Sequence, residues 1–163
     1  NKLDYELEMA AVIGRRGKNI GETDANSYIY GFTILNDFSA RDIQAKEMIC
    51  RLGPAKGKDF ATAMGPWLVT IDEIENFESL EMVARINGEE WSRGNSGSRY
   101  WSFAKMIEHV SRDEEIYPGD VLGSGTVGGG CGLELERWIK PGDLVELEIT
   151  GLGVLRNRIG SKK

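Results

Sequence analysis

The apolar residues of this chain recur in short runs that have the length and composition of β-strands. These runs are rich in Val, Ile, Leu and aromatic residues, and most of them are bounded by Gly, Pro or Asn. Segments of this kind predict strands rather than helices. The predicted strands cover residues 5–13, 28–35, 66–71, 80–86, 120–123 and 144–150.

Two helices are predicted between the strands. The segment 39–51 begins with Ser39 as a cap, and Asp42 lies three residues later, where a capping box places an acid. In the segment 102–110, four apolar residues fall at i, i+3, i+4 and i+7 and therefore share one face. These residues are Phe103, Met106, Ile107 and Val110. Because strands outnumber helices, we expect a β-rich α+β fold, a mixed-sheet sandwich or roll with short helices.

The composition is that of a single domain. The 163 residues can bury a core of their own, and no repeat or Pro/Ser-rich linker divides residues 1–163. Glycine accounts for 21 of the 163 residues, a larger fraction than the ~7% of average proteins. This is typical of a β-rich fold with many tight turns. The chain opens on Asn1, almost inside a patterned segment, and this predicts that it is part of a larger protein.

The charge and hydropathy of the chain argue against several classes of binding partner. A formal net charge of −6 argues against nucleic acid and against an anionic membrane surface. No apolar run approaches the ~20 residues of a membrane span, and the first residues do not have the pattern of a signal peptide. Cys50 and Cys131 are too few for a disulfide scaffold, so we expect two buried, reduced thiols in a cytoplasmic protein.

Glu6 and Glu8 are two like charges inside an otherwise apolar strand. Because side chains alternate along a strand, both carboxylates point to one side, while Tyr5, Leu7 and Met9 face the core. One interpretation is a solvated outer face. The other is a divalent cation, which would relieve the repulsion between two carboxylates at the edge of a partly buried surface.

A third carboxylate and several polar side chains follow. Asp37 lies where the second predicted strand gives way to the first predicted helix, a position that suits either a site residue or a helix-capping acid. Arg41 and Gln44 are three residues apart and share a face of that helix. Lys58 lies in a loop with several Gly and Pro residues. Near an acidic cluster it is a candidate electrophile or proton-transfer partner, and otherwise it only aids solubility.

Other motifs favour different functions. The run GSGTVG at 123–128 matches the dinucleotide motif G-x-G-x-x-G, and Glu148 lies about twenty residues beyond it. That motif must open a helix, and the glycines that follow leave little room for one. We therefore interpret these glycines as tight turns or as close approaches of the backbone to a ligand. Nucleophilic catalysis is not indicated, since no G-x-S-x-G segment occurs and His109 has no recognisable partner.

Two polar segments are interpreted as structural. We expect residues 93–99 to form an exposed hairpin or loop that could cover a site. We expect residues 134–143 to form a strand and turn that lead into the last strand, with Glu134 and Glu136 on a solvated face.

Four motifs, in this order, resemble the fumarylacetoacetate hydrolase family. They are Glu6-x-Glu8, NDFSARDIQ at 36–44, GKDF and GPW within 57–67, and PGDVLGSGT at 118–126. The resemblance spans roughly residues 4–158, and four motifs in register are more specific than any single one. It implies the C-terminal catalytic domain of that family, whose fold is a mixed β-roll.

The resemblance also implies a metal site. Glu6, Glu8 and Asp37 look like the three carboxylate ligands of the family's Mg²⁺, for which Mn²⁺ or Ca²⁺ can substitute. Mg²⁺ takes six oxygen ligands, so three carboxylates would leave about three positions for a chelating 2-oxo or β-diketo acid and water.

Further positions are matched to the substrate. Lys58 is similar to a catalytic position beside the metal. Arg41, Gln44 and Thr126 are similar to substrate-binding positions, and Thr62 matches less well a residue that lies near the metal in some members.

The implied activity is hydrolytic cleavage of a carbon–carbon bond in a 2-oxo or β-diketo acid, such as an acylpyruvate or a fumarylacetoacetate-like compound, through an enolate that the cation stabilises. Decarboxylation or isomerisation of the same compounds stays open. Many members carry a His and a Glu as general base in a lid segment upstream of Glu6, and we expect this chain to lack it. An inactive metal- and ligand-binding module therefore also stays open. Members are commonly dimers, which implies a homodimer.

Overall fold

Short antiparallel strands form most of the regular structure in residues 2–161, which are the part of the chain that the computed structural model describes. The strands are β1 (Leu3–Asp4), β2 (Leu7–Ile13), β3 (Gly17–Lys18), β4 (Ile29–Asn36), β5 (Ser39–Ala40), β6 (Ala63–Thr70), β7 (Glu81–Ile86), β8 (Glu89–Asn95), β9 (Glu115–Ile116), β10 (Val121–Gly123), β11 (Leu144–Ile149) and β12 (Gly153–Arg158). The α-helices are α1 (Glu22–Ala25), α2 (Arg41–Glu47), α3 (Phe103–Val110) and α4 (Gly132–Leu135). Short 3₁₀ helices cover Asn26–Tyr28, Met48–Cys50, Ile71–Glu73 and Ser96–Ser98.

The strands form two four-stranded sheets and two small ribbons. The first sheet has the order β10-β2-β4-β6 and the second the order β12-β11-β7-β8, while β1 pairs with β5 and β3 pairs with β9. The predicted β-rich fold with short helices is confirmed. Within residues 2–161 the pairings are antiparallel rather than mixed in direction.

The core lies between the two sheets, where β2 packs against β7, and β4 packs against β11 and β12. The alternation predicted for the first strand is confirmed, because Tyr5, Leu7 and Met9 are completely buried. Helix α3 buries Phe103 and Ile107 against this core, as its apolar face predicts, and the Ser102 hydroxyl caps it by accepting a hydrogen bond from the Lys105 N–H.

The first predicted helix is shorter than expected. It begins at Arg41, and Ala40 occupies the N-cap without a side-chain cap, so the capping box of Ser39 and Asp42 is wrong. Ser39 instead belongs to β5, and its hydroxyl donates to the Asp37 carbonyl oxygen over 3.0 Å. Cys131 is buried as expected, whereas Cys50 is exposed at the end of the following 3₁₀ helix.

Other segments also differ from the prediction. The segment 93–99 is not a simple loop, because its first part completes β8. The segment 134–143 contains no strand; it begins in α4 and continues irregularly to β11. Glu134 and Glu136 are exposed, as predicted. Strand β12, which follows β11 through a tight turn, was not predicted. The helices of residues 2–161 are too short or too polar to cross a bilayer.

Candidate metal centre

Three carboxylates converge where β2 begins and β4 ends. Glu6 immediately precedes β2, Glu8 lies on β2, and Asp37 directly follows β4. The antiparallel register pairs Leu7 with Asn36, which brings Asp37 beside the two glutamates. One carboxylate oxygen of each acid lies within 4.8 Å of the others. We call these three residues the acidic triad.

Both glutamates of the acidic triad are buried. Glu6 is 9% exposed and Glu8 is 5% exposed, so the alternative of a solvated strand face is excluded. Burial and, to a lesser extent, the neighbouring charges of Glu6 and Asp37 together raise the pKa of Glu8 to about 8. The Gly125 N–H, which donates to Glu8 Oε2 over 3.0 Å, only partly offsets this effect.

Lys58 reaches into the acidic triad. Its Nζ donates to Glu6 Oε2 over 2.5 Å and to Asp37 Oδ2 over 2.8 Å. Burial alone would lower the pKa of Lys58, but the hydrogen bonds and charges of Asp37 and Glu6 outweigh burial and raise it. Lys58 therefore stays a cation and links two of the three acids.

The loop that carries Lys58 is held by Glu47, the last residue of α2. The Glu47 carboxylate accepts backbone hydrogen bonds from Ala55, Lys56 and Gly57 over 2.8–3.0 Å. These bonds lower the pKa of Glu47. The loop also lies tightly against α2, since a Cβ at Gly57 would come within 2.8 Å of the Gln44 backbone nitrogen.

Arg41 is buried in an ionic network behind the acidic triad. Its Nε donates to Asp4 Oδ2 over 2.8 Å, and its two terminal nitrogens donate to Glu6 Oε1 over 2.7 Å and Gln44 Oε1 over 2.9 Å. Asp4 is completely buried and also accepts the backbone N–H groups of Gly132 and Leu133 over 2.7 and 3.0 Å. Asp4 thereby connects the start of α4 to the metal-ligand candidate Glu6 through Arg41.

The loop 124–127 forms another wall of the site. Thr126 is half-buried and directly follows Gly125, whose N–H bonds Glu8. The approach is close, because a Cβ at Gly123 would lie 2.8 Å from Glu8 Oε2. The next helix of this region is the four-residue α4, so the dinucleotide motif at 123–128 lacks the helix that it requires.

Two other sequence candidates lie in different settings. Thr62 is exposed and directly precedes β6. Because Ala63 pairs with Asn36 in antiparallel register, Thr62 lies across from Asp37. His109 is exposed in the last turn of α3, as a helix-end histidine would be.

The sequence-based interpretation missed three residues that support the site. They are Asp4, Asn36 and Glu47, and Asn36 holds Glu6 by accepting its N–H at Oδ1 over 3.1 Å. A signal for Asp4 was present, because it precedes Glu6 by two residues and extends the alternating acidic face. Nothing local marks Glu47, whose partners lie eight to ten residues further along the chain.

The donor set fits a hard divalent cation. The acidic triad and Asp4 provide four carboxylates, and Arg41 and Lys58 provide two compensating cations. If all six groups are ionised, two negative charges remain uncompensated in a largely buried cluster. Carboxylate oxygens are the ligands that Mg²⁺, Mn²⁺ and Ca²⁺ prefer, and a divalent cation would cancel this excess.

The sequence matches a known family along nearly all of its length. The model of the fumarylacetoacetate (FAA) hydrolase C-terminal domain matches residues 1–160. A curated relative, oxaloacetate tautomerase YisK of Bacillus subtilis strain 168, is 35% identical over 161 residues, which cover 98% of this chain and 53% of that protein. This chain thus spans about half the length of that relative.

Solved structures share the fold. A fumarylacetoacetate hydrolase from Exiguobacterium antarcticum superposes with a TM-score of 0.91 at 28% identity, over 99% of this chain and 58% of that one. Fumarylpyruvate hydrolase from Pseudomonas aeruginosa, solved in complex with Mn²⁺ and pyruvate, gives a TM-score of 0.90 at 26% identity, over 99% of this chain and 67% of that one.

Proposed function

Because the chain belongs to the fumarylacetoacetate hydrolase family, we propose that it is the catalytic domain of a divalent-metal-dependent enzyme that acts on 2-oxo or β-diketo acids. The acidic triad would hold the metal. Cleavage of a carbon–carbon bond in an acylpyruvate or fumarylacetoacetate-like acid is the proposed reaction, and Mg²⁺ is the proposed cofactor.

One observation carries this proposal. Three carboxylates, two of them buried, lie with their oxygens within 4.8 Å of one another. A buried acidic cluster costs free energy unless protons or cations neutralise it. Lys58 and Arg41 offset part of this cost, and a divalent ion would offset the negative charge that remains. The Mn²⁺ in the fumarylpyruvate hydrolase complex supports a divalent metal, and Mn²⁺ or Ca²⁺ could replace Mg²⁺.

When bound, the cation would supply a Lewis acid that polarises a substrate carbonyl. The protein would supply the remaining electrostatics. Lys58 Nζ is held by two acids of the triad, so it can present a fixed positive charge to an oxygen that gains negative charge. Thr126 would bind the substrate carboxylate from the opposite wall. Arg41 and Gln44 would complete the substrate side. In this structure the Arg41 guanidinium donates hydrogen bonds to Asp4, Glu6 and Gln44.

The type of reaction is the open part of the proposal. One similar protein is named an oxaloacetate tautomerase and another a fumarylpyruvate hydrolase, and both names refer to 2-oxo acids, a class of compound that can form an enol. The same charges stabilise that form in cleavage, decarboxylation and isomerisation. Hydrolysis additionally needs a base to activate water, and within residues 2–161 the acidic cluster contains no histidine, while His109 is exposed on α3. An inactive binding module is therefore the second candidate.

Activity assays separate these candidates. Purified protein, stripped of metal with EDTA and reloaded with Mg²⁺ or Mn²⁺, would be given acetylpyruvate and oxaloacetate while enol absorbance and pyruvate release are followed. We expect metal-dependent turnover that Asp37→Asn abolishes, whereas Asp59→Asn, a matched change at an exposed acid next to Lys58, leaves it intact. Metal-dependent oxalate binding without turnover would support the binding module, and loss of both would contradict the proposal.

Several features of the sequence-based account stay predictions. They are the homodimer, the cytoplasmic location, and a small-molecule acid as partner in place of nucleic acid or membrane. Sedimentation velocity of the purified chain would test the first.

A further inference from the structure

Arg99 is a buried cation beside the candidate site that the proposed function does not use. It follows the 3₁₀ helix Ser96–Ser98, and its side chain is only 9% exposed. One terminal nitrogen donates to the Ser96 carbonyl oxygen over 2.6 Å, the other pairs with Glu78, and the guanidinium lies 5.0 Å from the centre of the Phe103 ring. Its Nε is buried and has no hydrogen-bond partner among the described residues.

A buried N–H without a partner is unusual, because most buried donors are satisfied by protein or ordered water. Each such group lowers the free energy of unfolding unless a bound ligand accepts its hydrogen bond. Arginine is the side chain best suited to bind a carboxylate, since its planar fork offers several donors at once.

Arg99 lines a small cavity that adjoins the acidic triad. The loop 124–127 also lines this cavity and contributes Ser124, Gly125 and Thr126. Gly125 also donates its N–H to Glu8, so the loop touches the acidic triad and the Arg99 cavity at once. The cavity leaves about 10 Å³, which is room for one water-sized group such as a carboxylate oxygen.

The charge pattern of this cavity favours an anion. None of the described residues that line it is acidic, and Ser96, Ser98 and Ser124 line it together with Arg99. The other cations of the region, Arg41 and Lys58, are already paired with acids of the site. Among the acids of residues 2–161, Glu78 pairs with Arg99, and Glu78 is nearly half exposed.

We infer that Arg99 is a specificity-determining residue that binds the distal carboxylate of a dicarboxylic 2-oxo acid. This inference rests on the proposed function, because the first carboxylate and the 2-oxo group must be held at the acidic triad. The distal carboxylate then extends past Thr126, and one of its oxygens accepts hydrogen bonds from Arg99. The preferred substrates are therefore diacids rather than monoacids of equal length.

Two stable ligands of equal length isolate the distal carboxylate. Both 2-oxoglutarate and 2-oxopentanoate have five carbons and the same chelating end, and only the former has a second carboxylate. Titration calorimetry on the Mn²⁺-loaded protein gives both dissociation constants. We expect the wild type to prefer 2-oxoglutarate. Arg99→Met should weaken 2-oxoglutarate at least tenfold and change 2-oxopentanoate less than about twofold, as for the loss of a charge-assisted hydrogen bond.

Glu78→Gln separates recognition from a purely structural role of the ion pair. If Arg99 binds the diacid, removing its competitor should increase the preference for 2-oxoglutarate, which is opposite to the effect of Arg99→Met. If the Arg99–Glu78 pair only stabilises the fold, both variants should weaken both ligands alike. Arg93→Met is the matched control, because Arg93 pairs with Glu81 and Glu90 on the exposed side of the same hairpin.

The outcomes distinguish failure of the role of Arg99 from failure of the proposed function. Equal changes for both ligands, or no change in Arg99→Met, would overturn the role of Arg99 and leave the proposed function standing, provided that oxalate still binds with Mn²⁺. Failure of the wild type to bind oxalate and both oxo acids in the presence of Mn²⁺ would overturn the proposed function, and the inference with it.

Discussion

Deprotonation of the buried Glu8 should make the metal-free protein less stable as the pH rises. The pKa of Glu8 is raised by burial and by the adjacent charges of Glu6 and Asp37, from an ordinary 4.5 to about 8. The folded protein therefore holds a proton at Glu8 between these two values, whereas the unfolded chain has released it. Since the folded state binds more protons, the free energy of unfolding falls as pH rises from about 4.5 to 8.

The size of this effect follows from the shift. At 1.36 kcal/mol per pH unit, the full loss is about 5 kcal/mol as an upper figure. Urea unfolding in EDTA at pH 5, 6, 7 and 8 measures it. Glu8→Gln keeps a neutral, hydrogen-bonding group of the same size, so it should remove most of this slope. It should be more stable than the wild type at pH 8 and similar at pH 5.

Metal should reverse the trend, because a cation requires Glu8 to be ionised. Mn²⁺ is therefore expected to stabilise the wild type more at pH 8 than at pH 5 and to have little effect on Glu8→Gln. Glu75→Gln, at an exposed acid, is the control and should retain the wild-type slope. If Glu8→Gln keeps the full slope, the reasoning about a protonated, buried Glu8 is refuted.

Three further predictions concern the groups around the acidic triad. Lys58→Met should lower kcat about 10²- to 10³-fold in steady-state assays. Lys56→Met, at an exposed position in the same loop, should not lower kcat. Equal effects of the two variants would argue against an electrostatic role of Lys58. Asp4→Asn should lower the urea-derived free energy of unfolding by about 3 kcal/mol, because it removes one partner of a buried ion pair; a change below about 1 kcal/mol would contradict this. Gly123→Ala should weaken Mn²⁺ binding at least tenfold in calorimetry because its methyl group would displace the Glu8 carboxylate, whereas Gly128→Ala has open space and should bind normally; equal affinities would show that the loop yields.

The interior strands were predictable from the sequence, but two edge strands were not. Strands β2, β4, β7 and β11 face the core and carry the apolar runs that identify them. Strands β8 and β12 lie at the two edges of the second sheet, where one side remains in contact with water and the sequence is more polar. Their position in the sheet depends on the pairing with β7 and β11, which local patterns do not encode.

The candidate site could be predicted as a set of residues but not as a network. Family motifs pointed to Glu6, Glu8, Asp37 and Lys58, and the structure brings these side chains together. The contacts of Arg41 with Asp4 and Glu6 depend on how the start of α2 packs behind β2, which sequence spacing does not reveal. The same holds for Arg99, whose position beside the loop 124–127 arises from the packing of segments far apart in the chain.

We propose that the acidic triad holds a divalent metal to which a 2-oxo acid binds. The most direct test is calorimetric titration of oxalate, which mimics the chelating end of such an acid, into wild type and Glu8→Gln at pH 8, each with and without Mn²⁺. We expect oxalate to bind only to the wild type and only in the presence of Mn²⁺. Equal oxalate binding without metal, or in Glu8→Gln, would contradict it.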